Sequence, residues 1–434
     1  MTSSKIIIAA YGFPPFLKSL GGSIRILKLA EYLIAHGHDV TVVCARTPYA
    51  DTFGYDELLS NVRTIACHDP VASLASRVNG SGSGVSAGST SSFKGNVRQW
   101  LKGLMLDAMI PDSGFLVARS MLRVVRQEIE SATAPVTLIT SGPPHSVHLI
   151  GYRLARQHAG LKWIMDYRDS WNGTSLFRKR NSLFQRLNVA LERRCLRAVH
   201  HLAYISSPML PKAERIAGCA LSTKATLISN GYDESLLRDA TLTSACASSA
   251  IVDCSLRIGY YGAVDHGPAS YRDPGVIYRA LLQLPEQEVQ FVVHGPSTLE
   301  ADWARRLGPR LKDGGKLPHA RAIRSMFEMD ALLLLHTREE GADEVVTGKV
   351  FEYVATGRPI ISIGPADMAV NALLRHDPSF HWVDHRDEAG LVALLRRLQV
   401  SCRTGGTQRS EQLIRSFSRT AQHAKFTDLI NGRS

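Results

Sequence analysis

The 434-residue sequence has no C-x-x-C pair; its seven cysteines, at 44, 67, 195, 219, 246, 254 and 402, are odd in number and scattered. That argues against a disulfide framework or a structural zinc site and points to a reducing compartment. Long apolar runs are missing too: the longest, such as Ala331 to Leu335, fall far short of the roughly 20 residues that span a bilayer. The opening MTSSKIIIAAYGFPP breaks at Pro14 and Pro15 before the apolar core of an export signal can form, so the expected location is cytoplasmic, with any membrane contact peripheral. There is no tight acidic cluster of the kind that holds Mg²⁺ or Mn²⁺, so no metal is expected. Nor is there an RNP motif, a zinc finger or basic-aromatic interleaving, which leaves nucleic acid suggested by charge alone.

What is present is enough for a large core. Hydrophobic residues make up 44% and charged residues 21%, which favours a globular chain of about two domains at this length. The net charge of +12 is uneven. Residues 1–230 hold 27 Lys+Arg and 14 Asp+Glu, a balance of +13, whereas residues 231–434 hold 24 and 25, a balance of −1. Strand-like and helix-like stretches alternate twice. The first series opens with Lys5 to Ala10, a loop containing Gly21 and Gly22, a helix over Ile24 to Ala35 and a strand over Val40 to Cys44. It continues through strands at 136–140, 164–167, 201–205 and 225–229, with a strongly basic helix over 183–198. The second runs through strands at 257–261, 289–294, 331–335 and 359–363, with helices over 275–284 and 350–356. Two doubly wound parallel sheets facing across a cleft follow from this alternation. The expected boundaries are a first domain over 1–231, interrupted by a flexible Ser/Gly insertion at 73–93, a linker over 232–256 and a second domain over 257–400. A helical segment over 401–434 closes the chain, with a crossing back to the first domain as one expectation.

The most informative stretch is DEVVTGKVFEYVATGRPIISIGP, residues 343–365. Thr347, Gly348 and Lys349 fall at a helix start, where free N–H groups, the helix dipole and a cation converge on an anion. Glu352, further into the same helix, suits hydrogen bonds from ribose or sugar hydroxyls. The basic run 177–197 reads either as a solvated face or as a contact with anionic lipid or an acceptor's phosphates.

With its E-x7-E spacing and the run GKVFEYVATGRPI, this segment resembles the donor-binding motif of retaining glycosyltransferases with the GT-B fold, family 4, in their bacterial polysaccharide branch. YGFPP near the N-terminus, TSGPPHS at 140–146, DYRDSW at 166–171, SNGYD at 229–233 and YYGAVDHGPASYRDP at 260–274 extend the resemblance in order along the chain. It implies two Rossmann-like domains: a first for the acceptor and a second for a nucleotide-diphosphate sugar. It also implies transfer with retention onto a saccharide or lipid-linked saccharide, in cell-surface polysaccharide biosynthesis at the inner face of the plasma membrane. No cofactor is implied.

Carried over to this sequence, the resemblance gives Glu352 the nucleotide ribose, while Glu344 either approaches the donor sugar or is a surface-loop acid. Lys349 and Arg272 take the diphosphate, with Arg272 replacing the arginine that relatives place where Ala263 stands. Gly21 and Gly22 approach the donor phosphate by backbone, with Arg25 behind them, and His145, after two prolines, contacts the donor sugar. Asp166, Arg168 and Asp169 shape the acceptor side or form an internal ion pair. A nucleotide-sugar 2-epimerase is the alternative on the same fold.

Overall fold

The run Ile6-Ile7-Ile8 is wholly buried, as expected of a parallel strand covered on both faces. It lies in β1 (Lys5–Ala10), an interior strand of a seven-stranded parallel sheet in the computed structural model. The structure describes residues 4–18, 21–73, 109–173, 179, 181–235, 237, 255–264, 272–296, 299–336, 341–403 and 409–433. Most of the expected Ser/Gly insertion and most of the linker lie outside them.

Contacts divide the chain into two units: the first holds residues 1–205, 209–228 and 423–434, the second residues 206–208 and 229–422. The first contains β1, α1 (Ile24–Ala35), β2 (Asp39–Arg46), α2 (Asp56–Asn61), β3 (Arg63–His68), α3 (Phe115–Glu130) and β4 (Val136–Gly142). After these come α4 (His148–Gln157), β5 (Lys162–Tyr167), α5 (Ser182–Ala198), β6 (His201–Tyr204), α6 (Met209–Ala217) and β7 (Ala225–Leu227). The strand order is β3-β2-β1-β4-β5-β6-β7. Alternation along β1 sends Ile7 and Ala9 into a core shared with α3 to α6, and Ile6, Ile8 and Ala10 into one shared with α1.

The second unit repeats the plan with β8 (Leu256–Tyr261), α7 (Gly275–Leu282), β9 (Val289–His294), α8 (Ala301–Leu307), β10 (Leu311–Asp313), α9 (His319–Phe327) and β11 (Ala331–Leu335). It ends in α10 (Gly348–Ala355), β12 (Ile360–Ile363), α11 (Ala369–Leu374), β13 (Phe380–Val383), α12 (Glu388–Arg403) and α13 (Glu411–Ser416). Its six strands run in the order β10-β9-β8-β11-β12-β13. The last helix, α14 (Arg419–Asn431), buries Phe426, Leu429 and Ile430 in the core beside α1.

In both sheets the order reverses beside the first strand, between β1 and β4 and between β8 and β11. Crevices at the carboxyl ends of strands flanking such a reversal are where doubly wound sheets bind ligands. Among the described residues no helix is long and apolar enough to cross a membrane.

Candidate functional site

In the first unit, the loops after β1, β4 and β5 are tied together by Arg168. Its guanidinium donates to the Gly142 carbonyl at 3.1 Å, the Pro143 carbonyl at 2.9 Å and the Gly22 carbonyl. A Cβ on Gly22 would lie 2.8 Å from Nη1 of Arg168, so any other residue there would push the guanidinium aside. Beneath it, Arg25 on α1 meets Asp166 at the end of β5, with Nη2 2.9 Å from Oδ1 and side chains 2% and 0% exposed. Arg25 also donates to the Ile228 carbonyl, and the Ser141 hydroxyl donates to Asp166. Burial alone would raise the Asp166 carboxyl, but Arg25, Arg168 and Ser141 hold it below the usual carboxylate range.

These contacts correct part of the sequence reading. Arg25 and Asp166 are not surface groups awaiting an acceptor; they are a buried pair bracing the strand ends. The anticipated internal ion pair exists, but Arg25 supplies its cation. Arg168 holds carbonyls, Asp169 is exposed, and Gly21 and Gly22 form a short 3₁₀ turn leading into α1.

His145 is likewise not an open side chain. It is 1% exposed, and its ring stacks on Trp171 with centroids 5.2 Å apart, because two flat faces exclude water better than an imidazole facing solvent. Burial, with His148 and Arg168 nearby, pushes its pKa well below the usual histidine value, so the ring is neutral. Sequence reasoning passed over His148. Trp163 Nε1 donates to the Thr140 hydroxyl at 2.9 Å, which leaves that hydroxyl to donate to His148 Nδ1, also at 2.9 Å. Burial lowers the His148 pKa to about 3, so the ring is neutral, and with Nδ1 accepting from Thr140 its proton sits on Nε2. Its only sequence signal was a second histidine three residues after the first.

In the second unit, Lys349 in the first turn of α10 reaches back to the end of β8. Its Nζ donates to the Tyr261 carbonyl at 3.2 Å and sits 4.1 Å from the centre of the Tyr260 ring. Gly262, at a φ of 150°, leaves space beside it, since a Cβ there would lie 3.4 Å from Nζ. Burial first, then the Arg272 cation, lowers the Lys349 ammonium to about 7, with Glu352 opposing. The same two cations, added to burial, lower His336 just after β11 to about 3. The fold thus brings Lys349, Arg272 and His336 into one electrostatic neighbourhood at the β8 and β11 ends. Thr347 precedes α10 without capping it by its side chain, and its hydroxyl is buried with no hydrogen-bond partner among the described residues.

Glu352 lies further along α10 and accepts from His319 Nε2 at 2.7 Å, a contact no sequence signal revealed beyond the position of His319 at a helix start. That hydrogen bond raises the His319 pKa; burial opposes it, the Glu352 charge and Asp233 reinforce it, and Arg419 opposes it. Glu344 is 4% exposed, which overturns the surface-loop alternative; its carbonyl accepts from the Ser206 hydroxyl at 2.6 Å. Beside β9 and β10 a groove of about 400 Å³ is lined by His294, Gly314, Leu317, Arg321 and Ser325, among others. Its size suits part of a small polar ligand.

Residues 21–231 match the glycosyl transferase 4-like domain. No curated protein matches the sequence. Among solved structures, HepE from Anabaena, in complex with UDP and glucose, is similar at 13% identity and a TM-score of 0.56, with 99% of this chain and 100% of that one covered. The lipopolysaccharide outer core galactosyltransferase WaaB gives 13% identity, a TM-score of 0.58 and the same coverage. UDP-GlcNAc 2-epimerase from Neisseria meningitidis, bound to UDP-GlcNAc, gives 11% and 0.56 over 99% and 100% of the two chains. At these identities the likeness is one of fold. Residues 21–231 thus match a glycosyl transferase 4-like domain, and the chain has the GT-B fold that these solved glycosyltransferases share.

Proposed function

We propose that this protein is a glycosyltransferase that moves a sugar from a nucleotide-diphosphate donor, with retention, onto a saccharide or lipid-linked saccharide acceptor. The observation that carries this reading is the place of Lys349, in the first turn of a helix with no side-chain cap, its Nζ 3.2 Å from the Tyr261 carbonyl and over the Tyr260 ring; burial and Arg272 lower its pKa to about 7. Such a group is destabilised until an anion arrives, and a nucleoside diphosphate is such an anion. Lys349 and Arg272 stabilise the leaving diphosphate, Glu352 takes the ribose, and Gly348 lets the backbone come near. Glu344 supports the sugar. The donor's own phosphate oxygen accepts the acceptor's proton. His145 supports the donor pocket from within its wall. The reaction needs no divalent cation, so a chelator leaves it unchanged. The enzyme works in the cytoplasm, at the membrane face that holds lipid-linked acceptors in surface polysaccharide synthesis.

A thermal-shift panel of nucleoside diphosphates and nucleotide sugars tests the reading, because a ligand of the native state raises the melting temperature. A response to one base series, followed by acceptor-dependent transfer giving a retained anomer by NMR, is expected. No response to any nucleotide sinks the proposal. Conversion of the nucleotide sugar without acceptor replaces it with epimerisation.

A further inference from the structure

The excess positive charge of the first half is gathered on one side of its sheet. Helices α3 to α6 cover the face that buries Ile7 and Ala9, with α3 packed on α4 and α4 on α5. Their outward positions are arginine after arginine: Arg119 and Arg123 on α3, Arg153 and Arg156 on α4, Arg186 and Arg194 on α5, all exposed. Among the described residues of these four helices, Glu130 is the one exposed acid. The others are turned inward or held. Glu128 accepts from Lys5 and Arg63, Glu192 from Tyr167 and Asn172, and the half-buried Glu214 from the Leu221 amide. On the opposite face the sign changes: exposed Asp56 and Glu57 on α2 and Asp428 on α14 sit beside the core that buries Ile6 and Ile8. Charge serving solubility alone has no reason to sort itself by sheet face.

Apolar side chains share the arginine face. Leu183 is 60% exposed and Leu187 48%, one helical turn apart on α5, and Arg194 falls on the same stripe at about 100° per residue. On α3, Leu116, 43% exposed, stands in the same relation to Arg119 and Arg123. Leucine at the first turn followed by arginine along one stripe therefore recurs on two helices flanking α4.

We propose that this arginine-faced helical layer docks on an anionic lipid surface, with Leu116, Leu183 and Leu187 entering the headgroup boundary. A layer of several helices matches an extended plane of negative charge. Aliphatic tips gain from burial among acyl chains, whereas nucleic-acid surfaces use aromatic platforms or groove-shaped elements. The inference rests on the membrane side of the function proposed above and is independent of glycosyl transfer.

The test is co-sedimentation of the whole protein with phosphatidylglycerol–phosphatidylcholine vesicles and with phosphatidylcholine alone. Binding to the first and not the second is expected, weakening as salt rises. The double variant Arg186→Glu/Arg194→Glu should lower partition by at least about tenfold, given roughly 1 kcal/mol per basic residue near such a surface. Arg186→Lys/Arg194→Lys should keep it, and Leu183→Ser/Leu187→Ser should weaken it with the charge intact. Equal partition to both vesicles, no loss in the Glu variant, or tighter binding of duplex DNA than of anionic vesicles overturns the proposal. Thermal shift by nucleoside diphosphates, read on the same variants, keeps this outcome separate from the fate of the donor-site reading.

Discussion

In the first unit Arg25 faces Asp166 at 2.9 Å, and Arg168 is surrounded by three carbonyls, whereas in the second Lys349 has one carbonyl and an aromatic ring and is pushed toward neutrality. All three cations stand near the carboxyl ends of strands, Arg25 and Arg168 at that of β5 and Lys349 at that of β8. The difference is one of partnership. A cation matched by a buried carboxylate holds the scaffold, because removing either member strands the other without solvent. A cation that burial destabilises gains most from an incoming anion.

The largest expected effect breaks the first half of this comparison. Arg25→Ala should cost about 3–5 kcal/mol of stability, measured by denaturant unfolding, because it leaves Asp166 buried and unpaired. Arg25→Met combined with Asp166→Leu should recover most of that loss, since an apolar pair removes both charges together. Next in size, Lys349→Ala should lower transfer about 10²–10³-fold in steady-state assays, as loss of a group stabilising developing charge does, without lowering the melting temperature. A destabilised Lys349 variant with normal turnover would reverse the roles assigned to the two units.

The pH dependence sharpens the contrast, because the signs differ. The Asp166 carboxyl is depressed in the fold, so its contribution to stability is present above the unfolded carboxylate pKa and is lost as pH falls through the lower folded value. Lys349 is lowered from 10.5 to about 7, so between those values the unfolded chain binds the extra proton and this residue makes stability rise with pH. Nucleoside diphosphate affinity should move the other way. It should fall by up to about tenfold per pH unit above 7, the slope of one linked proton, and Lys349→Ala should flatten the titration. The smallest expected effect concerns His319. Its replacement by glutamine should raise the donor KM about 2- to 10-fold with little change in kcat, the scale of one hydrogen bond orienting Glu352. An equal fall in kcat would instead mark a role in the transition state.

The central strands could be read directly because burial on both faces writes a continuous apolar run, as in Ile6 to Ala10 and Ala331 to Leu335. The strands that the sequence did not announce are β3, β10 and β13, all at sheet edges. Arg63–His68 mixes polar and apolar residues, Leu311–Asp313 is three residues long, and Phe380–Val383 is mostly half-exposed. Edge strands need no uninterrupted apolar pattern, so they leave a faint one. Among the site residues, Lys349 was visible from its place at a helix start, a local property. His148, His319 and His336 were not, because an isolated histidine carries no local signal of what it will face.

The sequence by itself determined the doubly wound plan, the loops at the strand ends and the helix start that carries Lys349, since each follows from periodicity and turn chemistry within a few residues. Only the tertiary structure decided which charges are matched. The Arg25–Asp166 contact spans 141 residues, Lys349 to the Tyr261 carbonyl 88 and His319–Glu352 33. The sorting of arginine onto one face of the first sheet is of the same kind. Charge composition is written residue by residue, but which side of a sheet a helix covers is set by how the chain crosses over it.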